Sequence, residues 1–76
     1  MKTLTKKQLE TLKYIYAFIA KNDRSPTWRE IAEGVGVAST NAVHLRIQSL
    51  KSKGYLYYIP GKAKSIRVVF VPKEAA

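Results

Sequence analysis

A single histidine, no cysteine and five carboxylates leave this 76-residue sequence little with which to bind a metal or build a nucleophile. His44 has no second histidine and no thiolate with which to share an ion. No nucleophile, base and oxyanion donors stand out as a set, and no glycine loop is built to cradle a phosphate. No catalytic residue, metal, cofactor or small-molecule ligand is expected. The residues whose types and spacing do suggest chemistry lie in STNAVHLRIQSLKSKG, residues 39–54. Asn41 and Gln48 each carry an amide donor and acceptor, the pair that matches adenine N6 and N7. His44 can donate to guanine or to a phosphate, and Leu45 can press on a thymine methyl. Ser39 and Thr40 sit where the exposed amides of a helix N-terminus favour an anion.

These side chains need a helix that presents them together. At about 100° per residue, Val43, Ile47 and Leu50 fall on one side of a helix over about residues 40–53 and form its candidate core stripe. Asn41, Leu45 and Gln48 fall opposite, with His44 on their flank. Ser39 is placed to cap this helix and Gly54 to end it.

Two further helices precede it. Thr5 and Gln8 form a capping box that starts the first, with Leu4 and Leu9 as a hydrophobic staple. Leu9, Leu12, Ile15, Tyr16 and Ile19 then make one apolar stripe that ends near residues 21–24. Tyr14 and Phe18 lie off that stripe; a C-terminal hairpin is expected to cover them, the alternative being a partner surface. The second helix opens at SPTWRE, where Pro26 holds Ser25 out of the helix and Thr27 and Glu30 form another box. Ile31, Ala32 and Val35 are its buried side, Gly36 the left-handed residue past its end, and Val37 packs back as the chain turns.

Beyond Gly54 the period changes from helical to extended. YLYYIP and SIRVVFV flank the polar link GKAK and predict a hairpin, with Pro60 ending its first strand and the tail PKEAA frayed. Tyr55, Tyr57 and Tyr58 are expected in core and interface, the alternative being a platform on which single-stranded bases stack. The pattern is small α+β: three helices followed by a β-hairpin, one domain over residues 1–76. Two short helices joined by a tight turn and followed by a basic hairpin read as a winged helix-turn-helix.

Charge says what such a unit meets. Fourteen Lys and Arg against five Asp and Glu give a formal net charge of +9, the electrostatic footprint of a chain that binds a polyanion. Residues 34–73 carry basic residues and no acid at all, so that half is expected to face double-stranded DNA. The chain is too short for a core plus an elaborate cleft, and it is not expected to be an enzyme. Without cysteine there is no sign of an oxidising compartment. No apolar run is long enough to span a bilayer and no signal peptide opens the chain, so no membrane partner is expected.

From Leu4 to Arg67, the segments LTKKQLE, SPTWREIAEGVGVASTNAV, LKSKGYL and GKAKSIRV resemble the N-terminal DNA-binding domain of LexA-type repressors. The resemblance implies a winged helix-turn-helix that reads operator DNA through its third helix, as a homodimer on a two-fold site. It implies a cytoplasmic protein, on the bacterial nucleoid or encoded by a phage in a bacterial host. Docked in that way, Ser39, Asn41, Ala42, His44, Leu45 and Gln48 are the expected base readers. Lys7, Thr27, Trp28, Thr40, Arg46, Lys51, Lys53, Lys62 and Lys64 are expected along the phosphates, with the resemblance supporting Asn41, Lys7 and Lys53 most directly. His44 and Leu45 stand where the family reads bases with acidic side chains, so its operator sequence is not expected here. Self-cleavage belongs to a further domain of such repressors and is not expected of these residues. The rival reading is a protein-interaction module working through Tyr14, Phe18 and Leu45.

Overall fold

The computed structural model describes residues 3–62 and 64–75. Met1, Lys2, Ala63 of the expected hairpin link and Ala76 of the expected tail therefore lie outside the described residues. The order is α1 (Lys6–Asn22), α2 (Trp28–Val35), α3 (Thr40–Ser52), β1 (Leu56–Tyr57), β2 (Arg67–Val68) and a final 3-10 turn, Lys73–Ala75. Three helices and a two-stranded antiparallel hairpin make up the winged helix-turn-helix expected from the sequence.

Each helix begins where a side chain satisfies its free N–H groups. Thr5 and Gln8 close a reciprocal box on α1, and Thr27 and Glu30 another on α2. The Ser39 hydroxyl accepts from the Asn41 N–H and starts α3. Such caps contribute on the order of 1 kcal/mol each. At the far end of α2, Gly36 takes the left-handed conformation at φ 76°, which costs glycine nothing and a residue with a Cβ about 1–2 kcal/mol. The N–H groups of Gly36 and Val37 both donate to the Ala32 carbonyl, and this turns the chain sharply into α3.

The core collects Leu12 and Ile15 from α1, Ile31 and Ala32 from α2, Val43, Ile47 and Leu50 from α3, and Tyr55, Leu56, Tyr58 and Ile66 from the hairpin. Its α1 stripe departs from expectation in one place: Thr11 is buried and Tyr16 is 41% exposed. At about 100° per residue Thr11 and Tyr16 lie about 70° to either side of the direction midway between Leu12 and Ile15, so the helical period alone does not choose between them. The buried hydroxyl is satisfied, donating to the Lys7 carbonyl at 2.9 Å and accepting from Arg46 Nη1 at 3.3 Å.

The hairpin and tail bring three further corrections. Only two residues on each side pair as strand, Leu56 with Val68 and Tyr57 with Arg67, although the sequence suggests longer strands. Towards the tip, the Ile59 N–H donates to the Ser65 hydroxyl at 2.9 Å instead of to backbone. At the open end, the Val69 and Phe70 N–H groups converge on one carbonyl, that of Tyr55. Tyr14 is covered by α2 and not by the hairpin: a Cβ placed on Gly34 would fall on the Tyr14 ring. Phe18 lies beneath the Arg24 guanidinium, 4.8 Å from its ring centre. The tail is not frayed up to residue 75, because Lys73–Ala75 forms a turn packed on α1 and buries Ala75.

Candidate nucleic-acid interface

Burial along α3 separates its two sides cleanly. Val43, Ile47 and Leu50 are wholly buried, whereas Asn41, Leu45, Gln48 and Ser52 form an exposed line opposite. Leu45 is 57% exposed and borders a shallow depression with Gln48, Ser49, Ser52 and Lys53. An α-helix that presents such a line of amides, hydroxyls and one apolar side chain fits the width of a DNA major groove. Ser39 and Thr40 are exposed at the head of the helix, and Ala42 is partly buried beside the line.

Both flanks of α3 are braced. On the hairpin side, His44 stands edge-on to Trp28 at 5.8 Å and to Tyr58 at 6.4 Å, and Trp28 stands edge-on to Tyr58 at 5.5 Å. These three rings wall a cleft that continues past Gln48 and Lys51 to Pro60, Gly61 and Lys62 at the hairpin tip. Lys51 lies over the rings of Tyr57 and Tyr58, at 5.0 and 4.5 Å, and its ammonium donates to the Tyr58 carbonyl. On the other side, Arg46 reaches Thr11 of α1. Lys53 donates to the Thr3 carbonyl at 3.0 Å and to Gln8 Oε1 at 2.6 Å. It thereby ties the end of α3 to the capping box of α1. Neighbours from α1, α2 and the hairpin thus contact α3 on both sides of its exposed line.

The residues expected along phosphates fall into two groups. Lys7, Thr40, Lys62 and Lys64 are exposed, and Lys64 is held at φ 57° in the hairpin link. Arg46, Lys51 and Lys53 are engaged within the protein, Thr27 in the α2 cap and Trp28 in the ring cluster, so all five also serve the fold. Arg29 is not among the residues that the sequence points to as DNA contacts. It is exposed at the head of α2 and shares a surface depression with Ser39 and Thr40 at the head of α3. The signal lay in its place two residues after the Thr27 cap. In the sequence it looks like any other charge on a short helix.

Beneath the interface, Ser25 fastens the hairpin to the link between α1 and α2. It is buried, and its hydroxyl accepts from the Ile66 N–H at 3.1 Å while donating to the Pro26 carbonyl at 3.0 Å. One residue away, Arg24 grips Glu30 through both carboxylate oxygens, at 3.1 and 2.9 Å. This contact, with the Thr27 N–H, lowers the Glu30 carboxyl to about 2 and raises Arg24. Tyr57, by contrast, is 50% exposed, while Tyr55 and Tyr58 belong to the core. The tyrosines therefore do not form one stacking surface.

Among the described residues, no group of three or more His, Cys, Asp or Glu side chains converges, and no helix is long and apolar enough to cross a membrane. Residues 1–65 match the LexA DNA binding domain family. The chain is 41% identical to the LexA repressor of Staphylococcus carnosus, in an alignment covering 91% of this chain and 33% of that protein. It is 39% identical to the LexA repressor of Shouchella clausii, covering 100% of this chain and 40% of that one. The LexA repressor of Staphylococcus aureus is 39% identical over 91% of this chain. The chain thus spans between 33% and 40% of the length of these curated relatives. With its fold, its exposed α3 line and a match over nearly its whole length, the chain belongs to the LexA DNA-binding domain family.

Proposed function

We propose that this chain binds double-stranded DNA sequence-specifically, with α3 in the major groove and the hairpin on the backbone, and that it represses transcription. The observation that carries the reading is the exposed line Asn41, Leu45, Gln48 and Ser52, opposite the buried Val43, Ile47 and Leu50 and braced on both flanks. Ser39, Asn41, Ala42, His44, Leu45 and Gln48 face base edges. Lys7, Arg29, Thr40, Lys62 and Lys64 lie along phosphates and set the register. Thr27, Trp28, Arg46, Lys51 and Lys53 act from the edge of the groove while holding the fold. Repression is supported by relatives named LexA repressor that align over 91% or more of this chain. Reaction chemistry has no part in it; docking alone keeps other proteins off the site.

Substitution separates the two kinds of contact. Asn41→Ala is expected to weaken the preferred duplex by about 1–3 kcal/mol while barely changing binding to unrelated duplexes. Lys62→Ala is expected to weaken all duplexes alike and to reduce the salt slope by about 1. Equal losses on preferred and unrelated duplexes for Asn41→Ala would move that residue to a backbone role. Two copies on a two-fold site, the arrangement implied by the resemblance, would appear as an inverted repeat with fixed spacing in the preferred duplex.

A further inference from the structure

We propose that the depression around Leu45 seats the C5 methyl group of a pyrimidine, so that the duplex this chain prefers places a C5-methylated pyrimidine there. The idea rests on the major-groove reading above and specifies what its centre recognises.

An exposed leucine alone says little; what decides is the set of partners that the rest of α3 can offer. The segment Thr40–Ser52 contains no carboxylate, so no acceptor-only group is present on the helix to take the N4 amino group of cytosine. Its two strong cations are turned aside, Arg46 to Thr11 and Lys51 to the Tyr58 carbonyl and the tyrosine rings, and Lys53, which borders the depression just past the helix, donates to the Thr3 carbonyl and Gln8 Oε1. The centre of the line therefore lacks the forked or ammonium donor that usually reads guanine O6 and N7. What remains exposed there is two amides, which match adenine, and Leu45 between them. The apolar feature that distinguishes one base edge from another in the major groove is the C5 methyl of thymine. A leucine pressed against a base without it would leave water against its side chain or trap a polar edge. Thymine carries this methyl natively, and 5-methylcytosine carries the same group on the same atom.

The test starts from the duplex returned by selection on random sequences. Each thymine is replaced singly by uracil, and at the responsive position cytosine is compared with 5-methylcytosine, with affinities measured for the unmodified chain and for Leu45→Ala. Burying one methyl group is worth about fourfold in affinity. The expected result is one position per half-site where uracil weakens binding about fourfold, and where 5-methylcytosine binds about fourfold tighter than cytosine. Both differences should vanish in Leu45→Ala, whose side chain is 57% exposed in the parent and leaves the core intact. A methyl effect at thymine alone supports the seat and assigns it to thymine. Uracil tolerated at every position, or a uracil penalty that persists in Leu45→Ala, overturns the proposal. If selection returns no motif at all, the major-groove reading fails first and this proposal falls with it.

Discussion

Glu30 shows how much a single side chain does here. It completes the α2 cap through the Thr27 N–H at 2.9 Å and holds both arms of the Arg24 guanidinium. Its carboxyl is lowered from 4.5 to about 2, first by Arg24 and then by the Thr27 N–H. A group depressed in the folded state contributes stability that is complete above its unfolded pKa and lost as pH falls through the folded one. Unfolding followed against pH should therefore show stability declining between about 4.5 and 2, and Glu30→Gln should flatten that decline. An unchanged acid profile in Glu30→Gln would mean that the carboxylate is not held as described. The cap half of this arrangement is legible in the sequence, because T-x-x-E places both partners one turn apart. The Arg24 half is not, since the two residues meet only after the chain bends at Pro26. The same contrast holds on α3, where the helical period alone separates Asn41, Leu45 and Gln48 from the core. That Arg46, Lys51 and Lys53 turn inward depends on neighbours from α1 and the hairpin, which no local pattern encodes.

Among the elements, the hairpin is the least self-sufficient. A two-residue ladder cannot hold a wing in water by itself; this one is anchored by core residues Tyr55, Leu56, Tyr58 and Ile66, and by the bond from the Ile66 N–H to Ser25. Ser25→Ala removes that acceptor and leaves a buried N–H unpaired, a loss of about 1–3 kcal/mol. Thermal or denaturant unfolding should show the destabilisation, and hydrogen exchange at Ile66 should quicken. If the Ile66 amide stays as protected as in the parent, the anchor lies elsewhere. The three helices were legible because capping boxes, a left-handed glycine and apolar stripes are local signals. The length of the strands was not, because Ser65 intercepts one ladder bond and the Tyr55 carbonyl takes two. Both departures depend on how the hairpin docks. The end of the chain departs from expectation for a related reason: PKEAA has the composition of a loose tail, and packing on α1 gives Ala75 a place to be buried.

At the scale of the whole molecule, the sequence carries +9 and no acid between Glu33 and Glu74. The exposed cations Lys7, Arg29, Lys62 and Lys64 come from the heads of two helices and from the hairpin link. Affinity for any duplex should therefore fall with salt at a slope of about −0.9 for each phosphate neutralised. Charge by itself gives salt-dependent binding without preference; in the proposed reading, the braced α3 line adds the preference for particular base edges. Selection of binders from random duplexes at fixed salt tests this most directly. The structure predicts an enriched motif, and a clear loss of its advantage over random duplex in Asn41→Ala. Binding that follows salt alone and enriches no motif would contradict the central claim, and would leave the chain a basic domain that recognises backbone only.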